Sequence, residues 1–220
     1  MVSMKRMRLL LLLLCVTLCG CGGEKAVPTA TEAVRTEMPT EAASETAASE
    51  DEALNTLEAV LENGESLTLT VMGKQATERD LYGVREVLVY RGESRVQTIS
   101  MTEAIAKDGV DGIDLGYTES FSIEDAAKLR DVDFDGNPDL EVCGWCPNNA
   151  IPYYYWLWNP ETEQFQYGFS LQLREVDTEN QQLIAWYKVE NGLYHTDYLR
   201  VNDQGELELL KREIEDVRPK

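Results

Sequence analysis

Apolar and polar residues alternate through Leu67-Thr68-Leu69-Thr70-Val71, then from Val84 to Tyr90, and again through Val96-Gln97-Thr98-Ile99. Side chains two apart share one face of a strand, so each run predicts a half-buried β-strand. Gly92-Glu93-Ser94 stands between the second and third runs and predicts a hairpin. The C-terminal third repeats the pattern in Tyr153 to Trp158, Phe165 to Phe169, Leu183 to Val189, Tyr194 to Val201 and Glu206 to Arg212. Asn159-Pro160, Asn191-Gly192 and Asp203-Gln204-Gly205 punctuate these runs as turns. Upstream, Leu54, Leu57 and Leu61 recur at helical spacing and Asn63-Gly64 supplies a stop, which predicts a short helix from Asp51 to Asn63. Short strands at regular spacing predict a mainly β domain, built as an antiparallel meander, a sandwich or a propeller-like sheet, with one short N-terminal helix.

The first twenty residues follow neither period. Lys5, Arg6 and Arg8 precede the apolar run Leu9 to Leu14 and then Cys15-Val16-Thr17-Leu18. This stretch is too short to cross a bilayer stably and has the layout of an export signal. Leu18-Cys19-Gly20-Cys21 places a small residue directly before a thiol and resembles the bacterial lipobox, with Cys19 where Ala or Ser is usual. Cys15 is a rival acceptor, but it follows the bulky Leu14, so cleavage is expected before Cys21. The resemblance implies lipidation of Cys21 and tethering to the extracytoplasmic face of a bacterial membrane.

From Gly22 to about Glu50 the chain turns to Thr, Glu, Ala and Pro with no aromatic residue, too little apolar area to offset its ordering entropy. The expected organisation is a signal peptide over 1–20, a lipidated cysteine and disordered tether over 21–52, and one β-rich domain over 53–220. A flexible tether of that length reaches about 30 Å. Removing Lys5, Arg6 and Arg8 with the signal takes the formal charge from −20 to −23. Such a chain repels nucleic-acid phosphates and anionic headgroups, so no nucleic acid is expected as a partner and the membrane only through the lipid.

One segment carries specific chemistry. Asp131-Val132-Asp133-Phe134-Asp135-Gly136-Asn137-Pro138-Asp139 sets carboxylates at alternate positions, a glycine sixth and an acid ninth. A short loop of this kind can wrap Asp131, Asp133, Asp135, the carbonyl of Asn137 and Asp139 around one hard cation, with Gly136 supplying the sharp turn. Calcium, which accepts six to eight oxygens in flexible geometry, suits the set better than magnesium. Without a cation, the acids from Asp131 to Glu141 would repel one another.

The spacing resembles the calcium loop of EF-hands and, more closely, the D-x-D-x-D-G-x-x-D loops of dockerins and of FG-GAP or VCBS-type propeller repeats. It differs from a full EF-hand at the twelfth position, where Val142 stands and the nearest acid is Glu141. Tyr153 to Phe165 is also similar to the strand and turn that follow this loop in a group of calcium-binding bacterial lipoproteins. Some of those are propeller-like inhibitors of lysozyme-type effectors. The resemblance covers roughly Leu129 to Leu209 and implies a domain that binds a protein or an envelope polymer. It carries the alternative of an inhibitor or immunity protein against a basic cell-wall hydrolase.

Cys143-Gly144-Trp145-Cys146 is a C-x-x-C pair that admits a structural disulfide, two thiols or thiol-disulfide redox chemistry. No strand-then-helix pattern surrounds it, which weighs against the redox enzyme, and no other soft ligand than His195 remains for zinc. His195 itself reads as a surface residue. The run Tyr153-Tyr154-Tyr155-Trp156-Leu157-Trp158 makes Tyr153, Tyr155, Trp156 and Trp158 a candidate ligand platform, with one alternate set expected in the core and the other exposed. The expectation is a binding protein and not an enzyme.

Overall fold

A computed structural model describes residues 51–76, 80–108, 116–145 and 151–219. All of them fall in one compact unit, Ala47–Lys220. The signal, Cys21, the tether and Cys146 lie outside the described residues.

The described residues are mainly β, and form three four-stranded antiparallel sheets, each a meander of consecutive strands, with no closed barrel among them. Sheet A holds β1 (Glu52–Val60), β2 (Ser66–Ala76), β3 (Leu81–Arg91) and β4 (Ser94–Ser100). Two helices follow, α1 (Met101–Asp108) and the short α2 (Ile123–Ala126). Sheet B holds β5 (Ala127–Arg130), β6 (Asp139–Cys143), β7 (Tyr153–Asn159) and β8 (Gln164–Leu171). Sheet C holds β9 (Leu173–Asp177), β10 (Gln182–Glu190), β11 (Leu193–Val201) and β12 (Leu207–Asp216).

The predicted helix over Asp51 to Asn63 is instead strand β1, paired antiparallel with β2. Leu57, Ala59 and Leu61 turn inward at period two. Leu54 joins their face because the register shifts between Ala53 and Asn55. A bulge thus turned a strand period into what reads as a helical one. Asn63-Gly64 is a hairpin turn and not a helix stop: Gly64 has φ +82°, its N–H donates to Leu61 O at 2.8 Å, and Leu61 N–H donates to Glu65 O at 2.8 Å.

Sheet B is the middle layer. Its Leu140, Val142, Tyr154, Trp156 and Trp158 pack with Leu67, Leu69, Val71, Val87 and Val89 of sheet A and with Met101 and Ile105 of α1. Its other face offers Tyr155, Leu157 and Phe169 to Leu183, Ala185, Leu199 and Val201 of sheet C. The expectation that one alternate set of the aromatic run would face solvent is therefore corrected. Tyr154, Tyr155, Trp156 and Trp158 are all buried, because a sheet covered on both faces has no solvent side. Tyr153 alone is half-buried among the four platform candidates. The rings pack on one another: Trp156 meets Tyr167 edge-on with centroids 5.4 Å apart, and Tyr155 stacks on Phe169 at 4.9 Å.

Sheets A and B are also joined by one side chain acting as backbone. Gln97 of β4 donates to Phe165 O at 2.7 Å and accepts from Phe165 N–H at 2.9 Å, continuing the ladder from one sheet edge to the next.

Candidate metal centre

The acidic loop is the hairpin connection between β5 and β6, closed by the Arg130↔Asp139 pair. Two apolar residues hold it down. Val132 is fully buried, and Phe134, in a left-handed conformation at φ +64°, packs against the same cluster between sheets B and C.

Asp131, Asp133 and Asp139 each present an oxygen such that the three atoms lie within 4.8 Å of one another. Asp139 is buried at 1% exposure. Its Oδ2 accepts from Val132 N–H at 2.8 Å and its Oδ1 from Trp158 N–H at 2.9 Å, so it staples the loop to β7. Asp131 Oδ2 accepts from Gly136 N–H at 3.1 Å, while its Oδ1 is shut away from solvent with no hydrogen-bond partner. Asp133 Oδ1 accepts from Asp135 N–H at 3.2 Å.

Asp135 is not one of the converging three. Both oxygens of Asp135 are taken by Asn137, through its N–H at 2.7 Å and its side-chain amide at 3.2 Å. The Asn137 side-chain oxygen accepts from Glu62 N–H at 3.0 Å, which ties the loop to the β1–β2 turn. That long-range contact had no local signal. Glu141, the acid nearest the twelfth loop position, is also committed elsewhere: it accepts from Tyr155 O–H at 3.0 Å and pairs with Arg130 at 3.2 Å.

Burial and mutual repulsion act together on the converging acids. Burial, then the charge of Asp133, pushes the Asp139 carboxyl up to about 8, against its backbone hydrogen bonds. Burial, then Asp135, pushes Asp133 up to about 6. Two acids held partly protonated near neutrality, beside a buried oxygen without a donor, form a set that a divalent ion would satisfy. Hard carboxylate oxygens fit calcium, which would be held by Asp131, Asp133 and Asp139 and completed by water or main-chain oxygen. The ion would supply charge neutralisation and pin β5, β6 and β7 together.

Gly136 sits at φ +90°, and a Cβ added there would meet only the Glu62 side chain at 3.6 Å. The constraint is therefore conformational and not one of space. Gly136→Ala is expected to cost about 1–2 kcal/mol, read as a lower urea midpoint at unchanged slope.

The remaining candidates fall as follows. Cys143 is buried at the end of β6 and its thiol donates to Glu119 O at 3.1 Å. Its expected partner Cys146 lies outside the described residues, as does Cys21. His195, half-buried on β11, meets the Tyr187 ring edge-on at 5.7 Å. Beside it, Asp197 is held by Arg212 through two contacts of 2.6 Å.

Beyond the loop, sheets B and C leave a cleft of about 710 Å³ to which Asp133 and Asp135 contribute. No known family, curated protein or solved structure matches the chain.

Proposed function

We propose that the chain is a lipid-anchored extracytoplasmic protein whose β domain is stabilised by calcium and works by binding a protein or an envelope polymer. The observation that carries the calcium part is the convergence of Asp131, Asp133 and Asp139 within 4.8 Å around a buried oxygen of Asp131 that has no donor. Extracytoplasmic calcium near millimolar would fill even a loop in the roughly 10⁻⁴ to 10⁻³ M affinity class. The ion's role is then structural. Binding rather than catalysis is supported by the placement of His195, which lies on β11 and meets the Tyr187 ring edge-on rather than joining the acidic loop. The formal charge of −20 suits a basic partner such as a cell-wall hydrolase.

Calcium-dependent melting of the purified chain tests the ion. The anchor has its own test. Cys21→Ser, with the signal intact, is expected to move the protein from the membrane fraction to the soluble fraction or to leave it unprocessed. Lipid labelling unchanged in that variant would assign the anchor to another cysteine.

A further inference from the structure

Asparagine followed by glycine occurs twice in the chain, at Asn63-Gly64 and at Asn191-Gly192. The dipeptide carries its own reaction: the main-chain nitrogen of the glycine can attack the asparagine side-chain carbonyl, and no Cβ on the glycine obstructs the approach. Both asparagines are exposed in hairpin turns, and the glycines have φ of +82° at Gly64 and +76° at Gly192. The dipeptide alone therefore does not separate the two sites.

Hydrogen bonding does. At the β1–β2 turn both reacting groups are engaged: Gly64 N–H donates to Leu61 O at 2.8 Å, and Asn63 Oδ1 accepts from Glu65 N–H at 2.9 Å. At the β10–β11 turn neither is. Among the described residues Gly192 N–H donates to no acceptor, and the Asn191 side chain makes no hydrogen bond. The C-terminal segment also crosses this second turn. Val217 N–H donates to Gly192 O at 2.8 Å, Arg218 pairs with Glu190, and a Cβ on Gly192 would fall 2.9 Å from Arg218 Cγ.

We propose that Asn191 is a site of spontaneous covalent modification, converted through a succinimide to aspartate and isoaspartate, while the bonded turn protects Asn63. Gly192 N bonds to Asn191 Cγ, the side-chain amide nitrogen leaves as ammonia with the displaced proton, and water then opens the ring at one of its two carbonyls. Opening at the main-chain carbonyl leaves isoaspartate, which adds a methylene to the backbone at the point where Val217 and Arg218 hold the turn. Either product sets a new carboxylate next to Glu190. The reaction needs only water, so the site depends on neither calcium nor the lipid anchor.

The purified full chain, in nonionic detergent with saturating calcium, is aged in mildly alkaline buffer, and its peptides are quantified by mass spectrometry and by labelling with an isoaspartyl methyltransferase. Ring closure at Asn63 has two turn hydrogen bonds to break, so conversion at Asn191 is expected to run about tenfold or more faster. In denaturant, where both turns are lost, the two rates should converge. Asn191→Gln leaves the turn's glycine in place but disfavours the five-membered ring, and should reduce isoaspartate labelling of the folded chain to the Asn63 level. Conversion at Asn63 as fast as at Asn191 in the folded chain, a rate ratio that persists in denaturant, or labelling undiminished in Asn191→Gln would each overturn the proposal.

Discussion

Calcium is expected to raise the melting temperature of the chain in a concentration-dependent way, and Asp133→Ala to remove most of that rise. A ligand that binds only the folded state stabilises it by RT ln(1 + [L]/Kd), which is about 2.7 kcal/mol at a hundredfold excess over Kd. The three converging carboxylates bring their oxygens within 4.8 Å, a separation that calcium can bridge and that protons otherwise have to relieve. The substitution deletes a ligand and also a repelling charge, because Asp133 is one of the causes that push Asp139 upward. In chelator the Asp133→Ala protein should therefore melt at or slightly above the wild type, and in calcium below it. That crossing is the signature of a site, since an acidic turn without an ion would be steadied by the substitution under both conditions. A wild-type melt unmoved by chelation, with calcium carried several times above the roughly millimolar affinity class, would remove the ion from the account.

The second large effect is of pH on the ion-free protein. Asp139 has its folded-state carboxyl pushed from 3.8 up to about 8, and Asp133 from 3.8 up to about 6. A carboxyl whose folded value is raised favours the fold when it carries its proton. The contribution is therefore fully present below about pH 4 and is lost as pH climbs through 6 for Asp133 and toward 8 for Asp139. In chelator the melting temperature should fall across that window. Calcium requires the charged carboxylates, so the increment it adds should grow over the same window and flatten the profile. Asp139→Asn removes the higher of the two titrations and should flatten the chelator profile above about pH 6, while also losing one of the two main-chain hydrogen bonds, to Val132 or Trp158. Melts at unit steps from pH 4 to 8, with chelator and with calcium, read both slopes. An ion-free melting temperature that climbs with pH would contradict the buried, mutually repelling arrangement.

Much of this protein is determined locally and was legible in order along the chain. Strand alternation placed β2, β3, β4, β7, β8, β10, β11 and β12, because period two is a property of the backbone and of which face is buried. The acidic hairpin turn was legible for the same reason: its carboxylate spacing is covalent, and Gly136 marks the turn. The short β5 and β9 and the helix α1 were not assigned from the pattern, since four or five residues such as Ala127 to Arg130 carry too few positions to show a period.

What the tertiary structure decided are the features that depend on partners distant in sequence. Whether Leu54 to Leu61 formed helix or strand was settled by the Ser66 to Gly73 edge with which it pairs and by the bulge that pairing accepts. Tyr154 to Trp158 lost its solvent side because a third sheet, formed downstream, covers the face that sheet A leaves open. Among the loop acids, spacing alone made Asp135 an equal candidate to Asp131, Asp133 and Asp139. Trp158 N–H fixes Asp139 from β7, and Glu62 N–H fixes the Asn137 side chain that in turn holds Asp135, so contacts across the fold chose which carboxylates converge. The cleft follows the same logic, since its two walls are turns some forty residues apart, brought together by the Gly168 and Gly205 approach. Local sequence sets the period and the spacing; burial and hydrogen-bond satisfaction across the layers decide which of the compatible arrangements is kept.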